Sequence, residues 1–561
     1  MKRILLPLLL LLAVSVQAAE RQPVWPKGKM PHASDSQIAA MTDEARQPDF
    51  KPEKHRMPYL EWFDAPEHPN GTCMILISGG SYKNCCDGKL IRKWNKELTA
   101  QGVQCVNFVY RTPRPEGLPY YQTAWEDGQR AVRLVRSQAK KRGFDPERIG
   151  VMGMSAGGHL SLLLATSSCT ETYQKIDALD DIPCHINLAV VNAPAYATTD
   201  ADQLGIPATR EGYGPDVTLS PVFQFDAKTC PVSLHHGGAD IYSPNGSTLI
   251  YRKLREMEIP AELHLYPGKG HGAYGFERAV EFMRQMGFME PLQPEEKLVD
   301  RFTRDLDSLI TFQQPLWPEG KTPDLQEGQG DPYIKWFIPA ERKTDAIQII
   351  YSGGGYDHSR PDNHEVTPAR RYLNEKGVTV VVLHYRAPRP AAPLAKHTTA
   401  WQDLQRAIRL VRSQAAEHGL NPDKIGIMGS SAGGHLTLMG AVSSLHNSYR
   451  PIDEIDKLPC NVQWGIAIYP AYVIDDNGAL VPELSFDLNS CPLLLLHGDA
   501  DIYPALGSVT IWEKMRSMGI QCELHTLATR GHCFQRNASP GTGSYNYLER
   551  IAEYCLTAGN R

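Results

Sequence analysis

Beyond its first few residues the sequence offers no uninterrupted apolar run of about 18 residues, so no later segment is expected to cross a bilayer as a helix. It has no long basic run either, and its net charge of −5 over 561 residues is close to neutral. That balance speaks against a nucleic-acid partner and against an anionic membrane surface. Cys-x-x-Cys pairs, a His-Glu-x-x-His helix and acidic clusters at metal-ligand spacing are missing. So are a phosphate-cradling P-loop and a dinucleotide fingerprint. No metal and no cofactor is implied.

What the chain has is length. At 561 residues it exceeds what one ordinary core organises, which predicts two or more domains. Its 42% apolar and 22% charged residues are those of a soluble globular protein. The start, "MKRILLPLLLLLAVSVQAAE", has Lys2 and Arg3 before an apolar run broken only by Pro7, then Val16-Gln17-Ala18 as a small-residue cleavage site. Residues 1–19 therefore read as a cleavable signal peptide, and the mature protein is expected to be periplasmic or secreted, with no membrane attachment after cleavage. No Cys follows the run, so a lipid anchor is not expected there. Export permits disulfides among the 12 cysteines. Cys184 with Cys230, and Cys460 with Cys491, each precede apolar runs. If those runs are neighbouring strands the pairs could bridge. Four buried thiols is the equal alternative.

The sequence is written twice. "QPVWPKGKMP" returns as "QPLWPEGKTP", "PYLEWF" as "PYIKWF", and "YRTPRP" as "YRAPRP". "TAWEDGQRAVRLVRSQA" returns as "TAWQDLQRAIRLVRSQA", and "IGVMGMSAGGHL" as "IGIMGSSAGGHL". Two homologous domains follow, 20–289 and 314–561, with the charged stretch 290–313, which matches neither copy, as linker. In each copy short apolar runs alternate with amphipathic segments. The runs are continuously apolar, as strands covered on both faces are. This predicts a doubly wound, mostly parallel α/β sheet in each domain.

Gly153-Met154-Ser155-Ala156-Gly157 follows an apolar strand and opens a helix, and Gly429-Ser430-Ser431-Ala432-Gly433 repeats it. Glycines on both sides permit the sharp turn that lifts a nucleophilic serine to the sheet edge, with the Ala156 or Ala432 amide facing developing negative charge. The serine needs a base and the base a carboxylate, following in the order Ser, Asp, His on loops after strands. Asp240 and His271 meet that requirement in the first copy, Asp501 and His532 in the second. Asp499 competes with Asp501, but its counterpart is Gly238, which favours Asp501. The Gly-rich turns "ISGGSY" and "YSGGGY" are expected to supply the second oxyanion donor from Gly80, Ser81, Gly354 or Gly355. Tyr82 and Tyr356 follow, either as walls of an acyl pocket and substrate contacts or as plain packing. His159 and His435 are expected to bond a neighbouring loop rather than to act in catalysis. Arg111 with Asp127, and Arg386 with Asp403, are expected as structural ion pairs.

The strings "GMSAGGHL" and "GSSAGGHL", the "SGGxY" turn, "YR.PRP" and "HG.AD" resemble the α/β-hydrolase esterases. The nearest branch is the carbohydrate-esterase-like group that includes acetyl xylan esterases and bacterial feruloyl esterases. The resemblance covers nearly the whole mature chain in two copies. It implies tandem α/β-hydrolase domains and a serine esterase acting on acylated, most often acetylated, polysaccharides or oligosaccharides. The first copy departs from the usual turn by having Ser81 where the second has Gly355. Serine and aspartate are also further apart in the first copy, and the extra residues around 198–216 are expected to form a small lid. A peptidase or lipase of the same mechanism, and a chain with only one working copy, are the rival expectations.

Overall fold

The computed structural model describes residues 20–33, 37, 57–85, 88–199, 217–290, 309–537 and 547–560. The expected signal peptide and most of the expected lid lie outside them.

The first half begins with β1 (Glu20–Pro23), β2 (Tyr59–Trp62), β3 (Cys73–Ile77), α1 (Gly88–Thr99), β4 (Gln104–Val109) and α2 (Gln122–Arg142). It continues with β5 (Ile149–Met154), α3 (Ala156–Thr166), β6 (Leu188–Asn192), β7 (Val232–Gly237), α4 (Asn245–Glu256), β8 (Ala261–Tyr266) and α5 (Phe276–Gln285). The second half repeats the series. Its elements are β9 (Ile310–Pro315), β10 (Tyr333–Ile338), β11 (Ile347–Tyr351), α6 (Thr367–Glu375), β12 (Thr379–His384), α7 (Thr398–Gln414) and β13 (Ile425–Ser430). Then come α8 (Ala432–Val442), β14 (Trp464–Ile468), β15 (Leu493–Gly498), α9 (Leu506–Ser517), β16 (Cys522–Leu527) and α10 (Tyr547–Gly559).

In each half the last six strands are parallel and the first two antiparallel, in the order 1-2-4-3-5-6-7-8 and its repeat. Every residue of β3, β6, β7, β11, β14 and β15 is buried, because helices cover both faces. Helices α3 and α8 are buried along their whole length, which is why they are apolar without an amphipathic stripe.

The two half-sheets are one sheet of 16 strands. They join where β8 pairs antiparallel with β16, Leu265 opposite Leu524 and His264 opposite His525. That pairing turns one half over relative to the other. The C-terminal ends of the parallel strands in the two halves therefore point to opposite edges of the common sheet.

Buried polar groups fix this junction in near-symmetric pairs. His264 Nδ1 lies 2.9 Å from His525 Nδ1, while His264 Nε2 is 3.0 Å from Glu262 and His525 Nε2 is 2.6 Å from Glu523. Arg278 closes on Glu262 at 3.1 Å and Arg550 on Glu523 at 2.6 Å. Outside the sheet Arg252 of α4 bonds Glu513 of α9 at 2.8 Å, and Arg516 of α9 donates to the Gly238 carbonyl. Asp499 is engaged here too, 3.2 Å from Arg255 of the other half. Burial pushes its carboxyl up to about 6, against the pull of Arg255.

Two expectations need correction. The stretch 290–313 is not linker to its end, since Ile310 already begins β9, which pairs with β10 from Ile338 opposite Ile310. It is the edge strand of the second half, mostly exposed, as β1 is at the sheet's other rim. The four cysteines are buried thiols, not bridges. Cys184 stands further ahead of β6 than Cys230 does of β7, and its thiol donates to the Ser168 carbonyl at 3.3 Å, as Cys460 does to Ser444 at 3.3 Å. Among the described residues no helix is long and apolar enough to cross a membrane.

A hydrogen bond between two ring nitrogens needs one ring as donor and the other as acceptor, so each buried ring depends on the other. His525→Ala removes one ring and leaves His264 and Glu523 buried without it. We expect a loss of about 3 kcal/mol, read as a lower urea midpoint, with His264→Ala behaving alike.

Candidate active site

Ser155 directly follows β5 and Ser431 directly follows β13, each in a conformation that L-residues avoid: φ 59°, ψ −124° and φ 56°, ψ −121°. Such backbone persists only where neighbours dictate it. Here glycine gives the room. A Cβ on Gly157 would sit 2.4 Å from the Ile77 carbonyl, and one on Gly433 2.5 Å from that of Ser352. The Ser155 amide is spent on the Asn192 carbonyl at 3.0 Å, and that of Ser431 on Ile468 at 2.9 Å. Ala156 and Ala432, as first residues of α3 and α8, keep N–H groups without an intrahelical acceptor.

Asp240 follows β7 and His271 follows β8. His271 Nδ1 lies 2.9 and 3.1 Å from the two Asp240 oxygens. Asp240 also accepts from the Tyr242 amide at 2.9 Å and stands 3.4 Å from His236. Burial would raise its pKa, but the bonds from His236 and His271 outweigh burial and hold it below the usual carboxylate range. In the second half Asp501 holds His532 Nδ1 at 2.9 Å through both oxygens, and accepts from the Tyr503 amide at 2.9 Å. There the chain of bonds is complete: His532 Nε2 is 2.8 Å from Ser431 Oγ. In the first half no hydrogen bond joins Ser155 to His271 among the described residues.

The Gly-rich turns lie directly against the serines. A Cβ on Gly79 would meet Ser155 Cβ at 2.8 Å, and one on Gly353 would meet Ser431 Cβ at 2.8 Å. The next three residues of each turn all have positive φ: Gly80 130°, Ser81 53° and Tyr82 58°, then Gly354 107°, Gly355 65° and Tyr356 67°. Among the described residues the amides of Gly80, Ser81, Gly354 and Gly355 meet no protein acceptor. Reading the sequence for donors alone passes over Gly79 and Gly353. The paired glycines of both turns were the signal for them.

Tyr82 and Tyr356 do not form an exposed wall. Both are fully buried, and their hydroxyls meet His159 Nδ1 at 2.7 Å and His435 Nδ1 at 2.8 Å. They pin the turn to the first turn of the elbow helix, so of the two expected roles the packing one is seen. Burial brings His159 down to about 3 and so keeps it neutral. Arg111 bonds Asp127 at 2.8 Å and Arg386 bonds Asp403 at 3.0 Å, wholly buried. Trp25 and Trp317, from the "PVWP" and "PLWP" segments, cap those aspartates at 2.6 and 2.7 Å. His236 and His497, in the repeated "HG.AD" string, also escaped notice as site residues. Each is buried and bonded through Nδ1 to Ser247 or Ser508 at 2.8 Å.

One group of possible metal donors stands beside the second site: His364, Glu365 and Cys533, with ligand atoms within 4.8 Å of one another. Two of its three members already have partners. Glu365 accepts from the Gly353 amide at 2.7 Å and Tyr469 at 3.2 Å, and His364 Nε2 faces Arg536 Nε at 3.0 Å. The serine-histidine-aspartate set needs no metal for acyl transfer.

Strand order, elbow and the convergence of Ser, His and Asp at the sheet edge define an α/β-hydrolase. The sequence matches the family described as BD-FAE over residues 64–254 and 335–470. These segments make up more than half of the chain, and the chain belongs to that carbohydrate-esterase-like family. It is similar to an acetylxylan esterase of Xylanibacter ruminicola, 36% identical over 234 residues, covering 39% of this chain and 45% of that protein. It is also similar to an endo-1,4-beta-xylanase B of Butyrivibrio fibrisolvens, 28% identical over 210 residues, covering 36% and 32%. The chain thus spans less than half the length of these relatives. A crystal structure of an acetyl ester-xyloside bifunctional hydrolase from Caldicellulosiruptor lactoaceticus aligns with 49% of this chain and 100% of its own, at 22% identity and TM-score 0.37.

The close approach of turn and serine is testable. Gly353→Ala forces a methyl against Ser431 and the Ser430 carbonyl, so the serine must shift. Ester hydrolysis at that site should fall on the order of 10²-fold with the fold intact, measured in a Ser155→Ala background. Gly79→Ala should do the same for the first site.

Proposed function

We propose that this chain is an exported serine esterase that removes O-acetyl groups from polysaccharides or oligosaccharides, with one acyl-transfer site in each half. The observation that carries the reading is His532, which bridges Ser431 Oγ and both oxygens of Asp501. The likeness to an acetylxylan esterase supports the choice of acyl group and substrate class.

In this reading Ser431 Oγ attacks the ester carbonyl carbon while His532 Nε2 accepts its proton. The Ala432 amide and an amide of the Gly354–Gly355 turn hold the oxyanion. The C–O bond to the sugar breaks as His532 returns the proton to the leaving hydroxyl. Water then adds to the acyl-enzyme with His532 as base, releasing acetate and free serine. Asp501 orients the imidazole and stabilises its charged form. Ser155, His271 and Asp240 take the same parts in the first half, with Ala156, Gly80 and Ser81 as donors. His271 closes on Ser155 when substrate is bound, as apo sites often tighten only in the complex.

A second reading, in which the first half binds glycan without hydrolysing it, draws on the missing Ser155–His271 bond. The deciding experiment is acetate release from acetylated xylan, pectin and algal glycans by the intact chain, Ser155→Ala, Ser431→Ala and the double variant. Two sites predict that each single variant loses a different share and that the double variant is down on the order of 10⁴-fold or more. An unaffected Ser155→Ala beside a dead Ser431→Ala would establish the one-site reading.

A further inference from the structure

The two halves keep the same chemistry but line its approach differently. "PYYQTAW" in the first half matches "AKHTTAW" in the second, so Tyr120 corresponds to Lys396. Likewise "GGSYK" matches "GGGYD", so Lys83 corresponds to Asp357 and Ser81 to Gly355, while "PAY" in each copy pairs Tyr196 with Tyr472.

In the first half the half-buried Tyr120 ring forms an aromatic shelf backed by the fully buried Tyr196, ring centroids 4.4 Å apart. Arg114 lies along both rings at 5.4 and 5.5 Å, with its Nε donating to the Ser81 carbonyl at 2.8 Å. Its charge is spread against aromatic faces and a backbone carbonyl of the donor turn. In the second half the matching Arg389 is neutralised by Asp357, with Nε bonded to Oδ1 at 2.6 Å. The shelf itself is replaced by a cation: Lys396 Nζ stands 3.4 Å from the centre of the Tyr472 ring.

Tyr472 belongs to the site. Its hydroxyl is 3.6 Å from where a Cβ on Gly355 would be, and its ring packs on Tyr503 at 5.3 Å, which packs on His532 at 5.2 Å. Lys396 is half-buried, yet among the described residues its ammonium has no oxygen acceptor and no carboxylate within ion-pair distance. Of the acidic side chains nearby, Asp357 is held by Arg389 and Glu483 faces His435 and His397, 3.5 Å from each. A partly desolvated ammonium with three donors and only a ring for a partner is a place where an anion gains.

We infer that the second site selects esters on sugars that carry a carboxylate, through Lys396 on the face of Tyr472, while the first site takes neutral sugars against the half-buried Tyr120 ring that stands in place of that cation. The inference rests on the esterase reading only for its catalytic test. Binding to the chain tests it separately.

The binding arm uses the Ser155→Ala, Ser431→Ala double variant with unacetylated oligogalacturonate and xylo-oligosaccharide as probes. Oligogalacturonate should bind at low salt, weaken with added salt, and bind about tenfold more weakly after Lys396→Gln. The catalytic arm uses Ser155→Ala with three substrates: acetylated oligogalacturonate, its neutral methyl ester, and acetylated xylo-oligosaccharide. The ratio of kcat/KM for the charged over the methyl-esterified substrate should exceed one. It should fall about tenfold in Lys396→Gln and Lys396→Tyr, mainly through KM. Tyr120→Lys in a Ser431→Ala background should raise the same ratio at the first site. Unchanged ratio and unchanged binding in Lys396→Gln would overturn the inference. Lys396-dependent binding in a chain that cleaves not even 4-nitrophenyl acetate would instead overturn the esterase reading and leave this one standing.

Discussion

The site depends on the packing of one serine that has no room to be anywhere else. Ser155 and Ser431 hold a backbone conformation that costs free energy, and they hold it because glycines stand on every side. Gly153 and Gly157 let strand and helix close on each other, and Gly79 brings the donor turn against the serine's own Cβ. The turn in turn spends three successive residues at positive φ. Buried Tyr82–His159 and Tyr356–His435 bonds lock that arrangement from behind. Strain placed in two adjoining segments is thereby offset by packing beneath them, and the free amides are left facing one small volume.

The same sheet that supports the serines also decides where the two sites lie. Because β8 and β16 pair antiparallel, the halves share one continuous hydrogen-bonded surface and present their serines at opposite edges. Neither site borrows a side chain from the other half for its Ser, His or Asp. The junction nonetheless joins them structurally. Asp499 leaves the strand end two residues before Asp501 and bonds Arg255 of the first half. A residue that looks like a rival for the catalytic acid is thus a fastening between halves, and its counterpart Gly238 accepts from Arg516 through its carbonyl.

How much of this was legible beforehand follows from how local each feature is. Strand and helix identities were readable because fully covered strands are continuously apolar and the repeat doubled every signal. Ser155, Asp240 and His271, with their counterparts, were readable because each sits at a strand end in fixed chain order. Features that depend on a distant partner were not. Nothing in "AELHLY" or "CELHTL" announces that their histidines face each other across the junction. Edge strand β9 escaped because its apolar start is short and its partner β10 lies further on. The two cysteine pairs looked alike from spacing, and only the offset of each thiol from its strand separates bridge from buried thiol. Tyr82 and Tyr356 follow the Gly-rich turns in the sequence, but the side to which each ring turns is set by the helix packed beneath it.

The duplicated chain allows a comparison that a single domain would not. The serine, the glycines that crowd it and the buried Arg–Asp pairs are the same in both halves, since a change there would strain the backbone or strand a buried charge. Around the approach to each site the half-exposed side chains differ: Tyr120 against Lys396, Lys83 against Asp357, Val222 against Glu483. The bridge Thr198–Leu219 in one half corresponds to Ile474–Leu480 in the other, so the unequal serine-to-aspartate spacing is confined to one loop closed by the same contact. Variation at the approach, around the same serine, histidine and aspartate, is what the proposed reading of two acyl-transfer centres with different substrates expects.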